Sequence, residues 1–246
     1  MKFKFNIFTS IILFFTFSAC GVSDSSDEEQ EGPEFIDGIS EDVWELVSEE
    51  QLETIENELE MPIHRGDDPP LFPAATNKSQ EKDDELIFDT YLAEPVVLKA
   101  SSVPNDPIPI GSTLPNVYFR FQNQDPTDKT LSLSMYEEGL GTFSSQKAPI
   151  IGDNGYFTIV SVLTGAYFGN EQIEGLIFIS GFLGQEGIAE LNYNIFMVDN
   201  SGDDDYIPNN SGRTLIDEWE ISELTTWPDI PEKKSEISAM SLKSFQ

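Results

Sequence analysis

Between residues 117 and 135 the chain alternates with a period of two. In VYFRFQ, Val117, Phe119 and Phe121 oppose Tyr118, Arg120 and Gln122; in LSLSMY, Leu131, Leu133 and Met135 oppose Ser132 and Ser134. That period puts successive side chains on opposite faces of a strand, and one apolar face per strand marks an antiparallel sheet buried on one side. GYFTIVSVL, EGLIFISGFL, ELNYNIFMV and RTLIDEWEI read as further strands, and TYLAEPVVLKA as an earlier one whose Pro95 suits an edge. Asp125-Pro126, Gly152-Asp153-Asn154-Gly155, Gly184 to Gly187 and Asn200-Ser201-Gly202 supply turns between them. No stretch within this region reads as a long amphipathic helix.

About seven or eight short strands with short connections fit one domain. The expected fold class is all-β with a short N-terminal helical segment, the β domain being an antiparallel meander barrel or a two-sheet β-sandwich. DTYLAEPVVLKASSVPNDPIPIGST resembles the first strand and long loop of lipocalin-like barrels, which leans the choice toward the barrel. On its strand's alternation Trp219 falls between Leu215 and Ile221 and is expected in the core. Trp227, just before Pro228 and Asp229, is freer to be exposed and is the candidate ligand-binding residue, as a carbohydrate platform.

At the other end, Lys2 and Lys4 precede an apolar run from Phe5 to Phe17, then the small residues Ser18 and Ala19, then Cys20, the only cysteine. The run is shorter than the roughly 20 residues of a spanning helix, and acids follow it in place of the basic residues of a stop-transfer boundary. It reads as a secretory signal peptide over 1–19. Phe17-Ser18-Ala19-Cys20 resembles the bacterial lipobox, with phenylalanine where leucine is usual; the resemblance implies that Cys20 becomes a diacylglyceryl cysteine, acylated further by a chain such as palmitate. Two or more acyl chains anchor stably where one is marginal. A single cysteine forms no internal disulfide, so core packing alone must stabilise the exported domain.

From Gly21 to Glu60 there is no lysine or arginine. Residues 20–40, acidic and poor in apolar side chains, are expected to form a disordered tether, because they cannot repay the entropy of folding. Ser23-Asp24-Ser25-Ser26-Asp27-Glu28-Glu29 resembles the acidic export signal of Bacteroidota surface lipoproteins. Residues 41–61 read as an amphipathic helical segment with Val43, Leu46, Val47, Leu52, Ile55 and Leu59 on one stripe. Ser48 with Gln51 matches a capping box, which divides the segment into two short helices. It is expected to pack on the edge of the main domain or to stand as a stalk. Residues 62–86 are Pro-rich, a linker or a strapped-down loop; the β domain runs over 87–225, and 226–246 form a C-terminal tail.

The formal net charge of −32 disfavours nucleic acid and anionic membrane surfaces. His64 is the only histidine, which leaves Ser-His-Asp, Cys-His and paired-histidine zinc systems without material. Carboxylate-only chemistry, as in glycoside hydrolysis, remains open because 45 acidic residues supply it anywhere. Asp199, Ser201, Asp203 and Asp205 alternate oxygen ligands as calcium loops do, although Asp204 and Asn210 stand where an EF-hand has glycine and glutamate. They are candidate metal ligands, with an ordinary solvated turn as the competing reading. No other cofactor is expected.

The lipobox, the acidic tether, MPIHRGDDPP, the TYL…VLKASSVPND stretch, VYFRFQNQ and MVDN…YIPNNSGRTLIDE together resemble an uncharacterised Bacteroidota surface lipoprotein family. The resemblance spans most of residues 20–222 and implies location and a β domain, with no assigned chemistry. The expectation is a non-catalytic lipoprotein, lipid-anchored to the cell outer membrane through Cys20 and exposed at the cell surface, or else on the periplasmic face. Its β domain would bind a glycan, a small apolar ligand or an envelope protein. The alternatives are a structural or protein-interaction component of the envelope and a carboxylate-only glycoside hydrolase.

Overall fold

The computed structural model describes residues 32–73, 90–138, 141–163 and 173–228. The signal peptide, Cys20, most of the tether, residues 74–86 of the linker and the tail from 229 lie outside them. Among the described residues no helix is long and apolar enough to cross a membrane. Chain order is β1 (Phe35–Ile36), β2 (Ile39–Ser40), α1 (Glu41–Trp44), α2 (Glu49–Glu53) and a π-helical turn (Thr54–Glu58). Then come β3 (Thr90–Ala93), β4 (Val96–Ser101), β5 (Thr113–Leu114), β6 (Val117–Asp125), β7 (Thr130–Glu137) and β8 (Gly141–Asp153). The last are β9 (Tyr156–Leu163), β10 (Glu174–Leu183), β11 (Gly187–Asp199), β12 (Ser211–Asp217) and β13 (Ile221–Thr225).

The β domain is a closed antiparallel barrel of 8 strands, not a sandwich. Its ring runs β10-β9-β8-β7-β6-β3-β13-β11 and returns through the β10–β11 pairing. The path from β6 to β11 is a meander, neighbour to neighbour. β11 is long enough to hold two partners on one edge: Gly187–Ala189 pair with β13 and Asn192–Met197 with β12. From β12 the sheet continues outside the ring to β4 and β5. Asn154 and Gly155 both take positive φ between β8 and β9, the backbone of a two-residue hairpin turn matched to strand twist.

The lumen is filled by the inward side of the alternation. Phe119, Phe121, Leu131, Leu133, Met135, Phe157, Ile177, Tyr193 and Ile195 belong to one buried cluster. Phe72 joins them from the Pro-rich segment, its ring 4.6 Å from Phe121 and 5.0 Å from Phe157. A second cluster lies on the outside of the barrel, where Val43, Val47, Leu52, Ile55 and Leu59 cover Ile151, Val160, Leu176, Phe178 and Phe196. This explains why β9 and β10 read as continuous apolar runs while β6 and β7 alternate. The former are buried on both faces, the latter on one.

Ser48 closes the capping box with Gln51 and starts α2, as the motif predicts. The helical segment lies on the barrel wall itself and is neither an edge element nor a stalk. Of the two readings of the Pro-rich segment, its described part, 62–73, is the strapped-down loop. Gly152 donates to the Gly66 carbonyl at 3.1 Å and Asp68 donates to the Gly152 carbonyl at 3.0 Å. A Cβ on Gly66 would sit 2.5 Å from the Gly152 oxygen, so only glycine lets strap and strand approach this closely.

Three expectations are corrected. The end of the tether is ordered: Phe35–Ile36 and Ile39–Ser40 form a hairpin around Asp37 and Gly38, both at positive φ, and Ile39 is buried. RTLIDEWEI is two strands, because the chain turns at Glu218–Glu220, and Trp219 on that corner is 60% exposed instead of lying in the core. TYLAEPVVLKA is likewise two strands, β3 in the ring and β4 beyond β12.

Candidate functional site

Among the described residues the N-terminal layer packs on β8, β9, β10 and β11 and does not cover the outer face of β13, β3, β6 and β7. Strand registers set two rows of side chains across that face. One row runs Glu223, Leu92, Tyr118, Tyr136, Thr142; the next runs Thr225, Thr90, Arg120, Ser134, Ser144. Two residues beyond β13, Trp227 folds back over both rows. The Arg120 guanidinium carbon lies 4.6 Å from the centre of its ring, a cation–π contact. Tyr136 lies 6.4 Å from Trp227, and Tyr118 5.9 Å from Tyr136, so three half-exposed rings follow one another.

The face is held in place by its own contacts. Tyr118 and Tyr136 are a directly opposed cross-strand pair, which contributes to holding β6 and β7 together. Arg120 donates from Nε to Thr90 Oγ1 at 3.2 Å, which fixes the guanidinium under Trp227. Partial burial raises the Tyr118 phenol above its ordinary value, and the charges of Glu138 and Glu94 and the neighbouring Tyr136 push it further the same way. The phenol therefore stays neutral and available as donor and acceptor across physiological pH.

Of the residues singled out in the sequence, Trp227 belongs to this constellation. The loop acids Asp199, Asp203 and Asp205 lie apart from it. Asp199 Oδ1 accepts the Ser201 amide at 2.8 Å and Asp203 Oδ1 accepts the Asp205 amide at 3.0 Å, so two of the four candidate ligands cap turns. Among the described residues no three His, Cys, Asp or Glu side chains converge to hold a metal. Asp199, Ser201, Asp203 and Asp205 lie together at the end of β11 and in the turn after it, with Asp199 and Asp203 as its amide acceptors. His64 packs its ring 4.7 Å from Tyr156 on the strap, and burial lowers its basicity against the opposing pull of Glu190.

Burial raises the Asp217 carboxyl above its ordinary value. It accepts Ser222 Oγ at 2.5 Å and the Trp219 amide at 3.0 Å, and these contacts organise the corner between β12 and β13. A groove of about 520 Å³ opens beside the N-terminal hairpin, with Ile36, Trp44 and Val47 beside Glu34, Asp37, Glu41 and Glu49. Its acids share the sign of the whole chain and so distinguish no ligand.

Sequence reasoning missed Tyr118, Tyr136 and Arg120. Their signal was there: two large aromatic side chains and an arginine occupy outward slots that elsewhere in β6 and β7 hold serine and glutamine. Comparison of the chain with protein-family models, curated proteins and solved structures finds no match.

Proposed function

We propose that this chain is a non-catalytic lipoprotein, anchored by an acylated Cys20 in the outer membrane and exposed at the cell surface, whose β domain binds a ligand or partner. The anchoring half of the reading is supported by the apolar run, the small residues before Cys20 and the acidic, cation-free stretch that follows. The binding half is carried by one observation. Among the described residues, the side of the barrel wall that the N-terminal layer does not cover brings Tyr118, Tyr136, Trp227 and Arg120 together, held by cross-strand pairing and cation–π contact. Aromatic and arginine side chains of this kind supply most of the binding energy at recognition surfaces, because they bring large area at little conformational cost.

Metabolic labelling with an alkyne-bearing palmitate in an exporting Gram-negative host tests the anchor. Label should enter the wild type and be lost in Cys20→Ala, and protease added to intact cells should digest the labelled protein. An unlabelled wild type overturns the anchor, and a labelled but protease-resistant protein moves it to the periplasmic face.

A further inference from the structure

We infer that the open face takes a neutral glycan, its sugar rings lying on Tyr118, Tyr136 and Trp227; this rests on reading that face as the binding surface. The rings are prepaid for such a ligand. Their positions are fixed by register and by Arg120, so little freedom is lost when a ligand settles on them.

What lies between the rings selects the ligand's chemistry. A protein interface shares the enrichment in Tyr, Trp and Arg but is depleted of Glu and Ser at its core. Here the only aliphatic side chain in the two rows is Leu92; the Tyr118–Tyr136 pair is flanked by Leu92 and Thr142, Glu223 ends its row, and Thr90, Arg120, Ser134 and Ser144 run alongside. Glu94 and Glu138 are close enough to act on the Tyr118 phenol. Carboxylates and hydroxyls beside π-faces suit a molecule with apolar C–H faces and hydroxyl donors along its edges. Charge narrows it further. The guanidinium in the face is already committed to Trp227 and Thr90, and a chain of formal net charge −32 repels anions, so the glycan is uncharged.

The test is native-gel retardation of the full chain in detergent micelles, with neutral mannan, xylan, laminarin or pullulan in the gel and anionic polygalacturonate as comparison. At least one neutral polymer should retard the wild type, and polygalacturonate should not. Trp227→Ala and Tyr136→Ala should weaken retardation at least tenfold at a temperature where both remain folded, whereas Ile36→Ser, on the N-terminal hairpin, should leave it intact. Thr142→Arg, exposed beside Tyr136, should block the face without touching the core and serves if the aromatic variants unfold. Absence of retardation by every neutral polymer, equal retardation by polygalacturonate, or wild-type behaviour of Thr142→Arg overturns the inference. A photo-crosslinking residue at Tyr118 in the exporting cell separates the two levels. A discrete protein adduct without retardation overturns the glycan and keeps the face; neither adduct nor retardation overturns both.

Discussion

Arg213 on β12 is fully buried and grips Asp106, in the loop after β4, through two hydrogen bonds of 2.8 Å, Nε to Oδ2 and Nη2 to Oδ1. Asp106 also accepts the Ser101 hydroxyl and, at 3.0 Å, the Ile108 amide. Removing one partner strands a buried charge, which costs about 3–5 kcal/mol, whereas exchanging both for apolar residues is often neutral. Asp106→Ala should therefore lower the urea midpoint sharply, and adding Arg213→Met to it should recover most of the loss. If the double variant is no better than the single one, the pair is more than a matched burial.

The same carboxylate sets part of the acid limit. Burial alone would raise Asp106, but the bonds from Arg213, Ser101 and Ile108 and the charge of Arg213 outweigh it and hold the group below its usual range. Its folded value lies below the unfolded one of about 3.9, so its stabilisation is complete above that pH and is lost as pH falls through the folded value. Below about pH 4 the wild type should lose stability more steeply than Asp106→Asn, followed by thermal melting.

Much of the fold was legible because its signals are local. Ser48 and Gln51 are three residues apart and met as a capping box, and Asp153-Asn154-Gly155 turned where its composition says it must. β8 was not legible: the polar run Ser144-Ser145-Gln146-Lys147 and Pro149 break its alternation, and it is a strand because β7 and β9 flank it. Trp219 was misplaced because alternation was carried through a corner that Asp217 organises by capping Trp219 and Ser222. The aromatic face was invisible for a different reason. Tyr118, Tyr136 and Trp227 are scattered along the chain, and only the pairing of β13, β3, β6 and β7 puts them side by side.

His64 gives a second pH dependence, near neutrality. Burial against Tyr156 lowers its pKa below the usual value, with Glu190 pulling the other way. The unfolded chain then binds a proton at about pH 6.5 that the folded chain resists, so stability falls as pH drops from there toward the folded value and is flat above it on this account. Melting temperatures between pH 8 and pH 5 should show the decline in the wild type and a flatter profile in His64→Gln. The variant keeps the backbone bond from residue 64 to Thr158 Oγ1, 2.8 Å in the wild type. An unchanged profile would mean that the imidazole is hydrated in the folded protein.

The strap has one anchor that dominates its energetics. Phe72 enters the lumen, 7% exposed, and meets the rings of Tyr91, Phe121 and Phe157. Its backbone is clipped by Gln124, whose Oε1 accepts the Phe72 amide at 2.9 Å and whose Nε2 donates to the Pro70 carbonyl at 3.0 Å. Truncating a buried phenylalanine costs about 3–5 kcal/mol, because the transfer energy is lost and the surrounding barrel strands cannot collapse into the space. The two clip bonds contribute about 0.5–1.5 kcal/mol each. Phe72→Ala should therefore destabilise the barrel more than Gln124→Ala in urea unfolding. Protease should reach the C-terminal part of the 62–73 strap first in Phe72→Ala, since the contacts at Gly152 and Ile63 would then hold only its N-terminal part. If Gln124→Ala frees the strap and Phe72→Ala does not, the polar clip is what fastens this segment to the barrel.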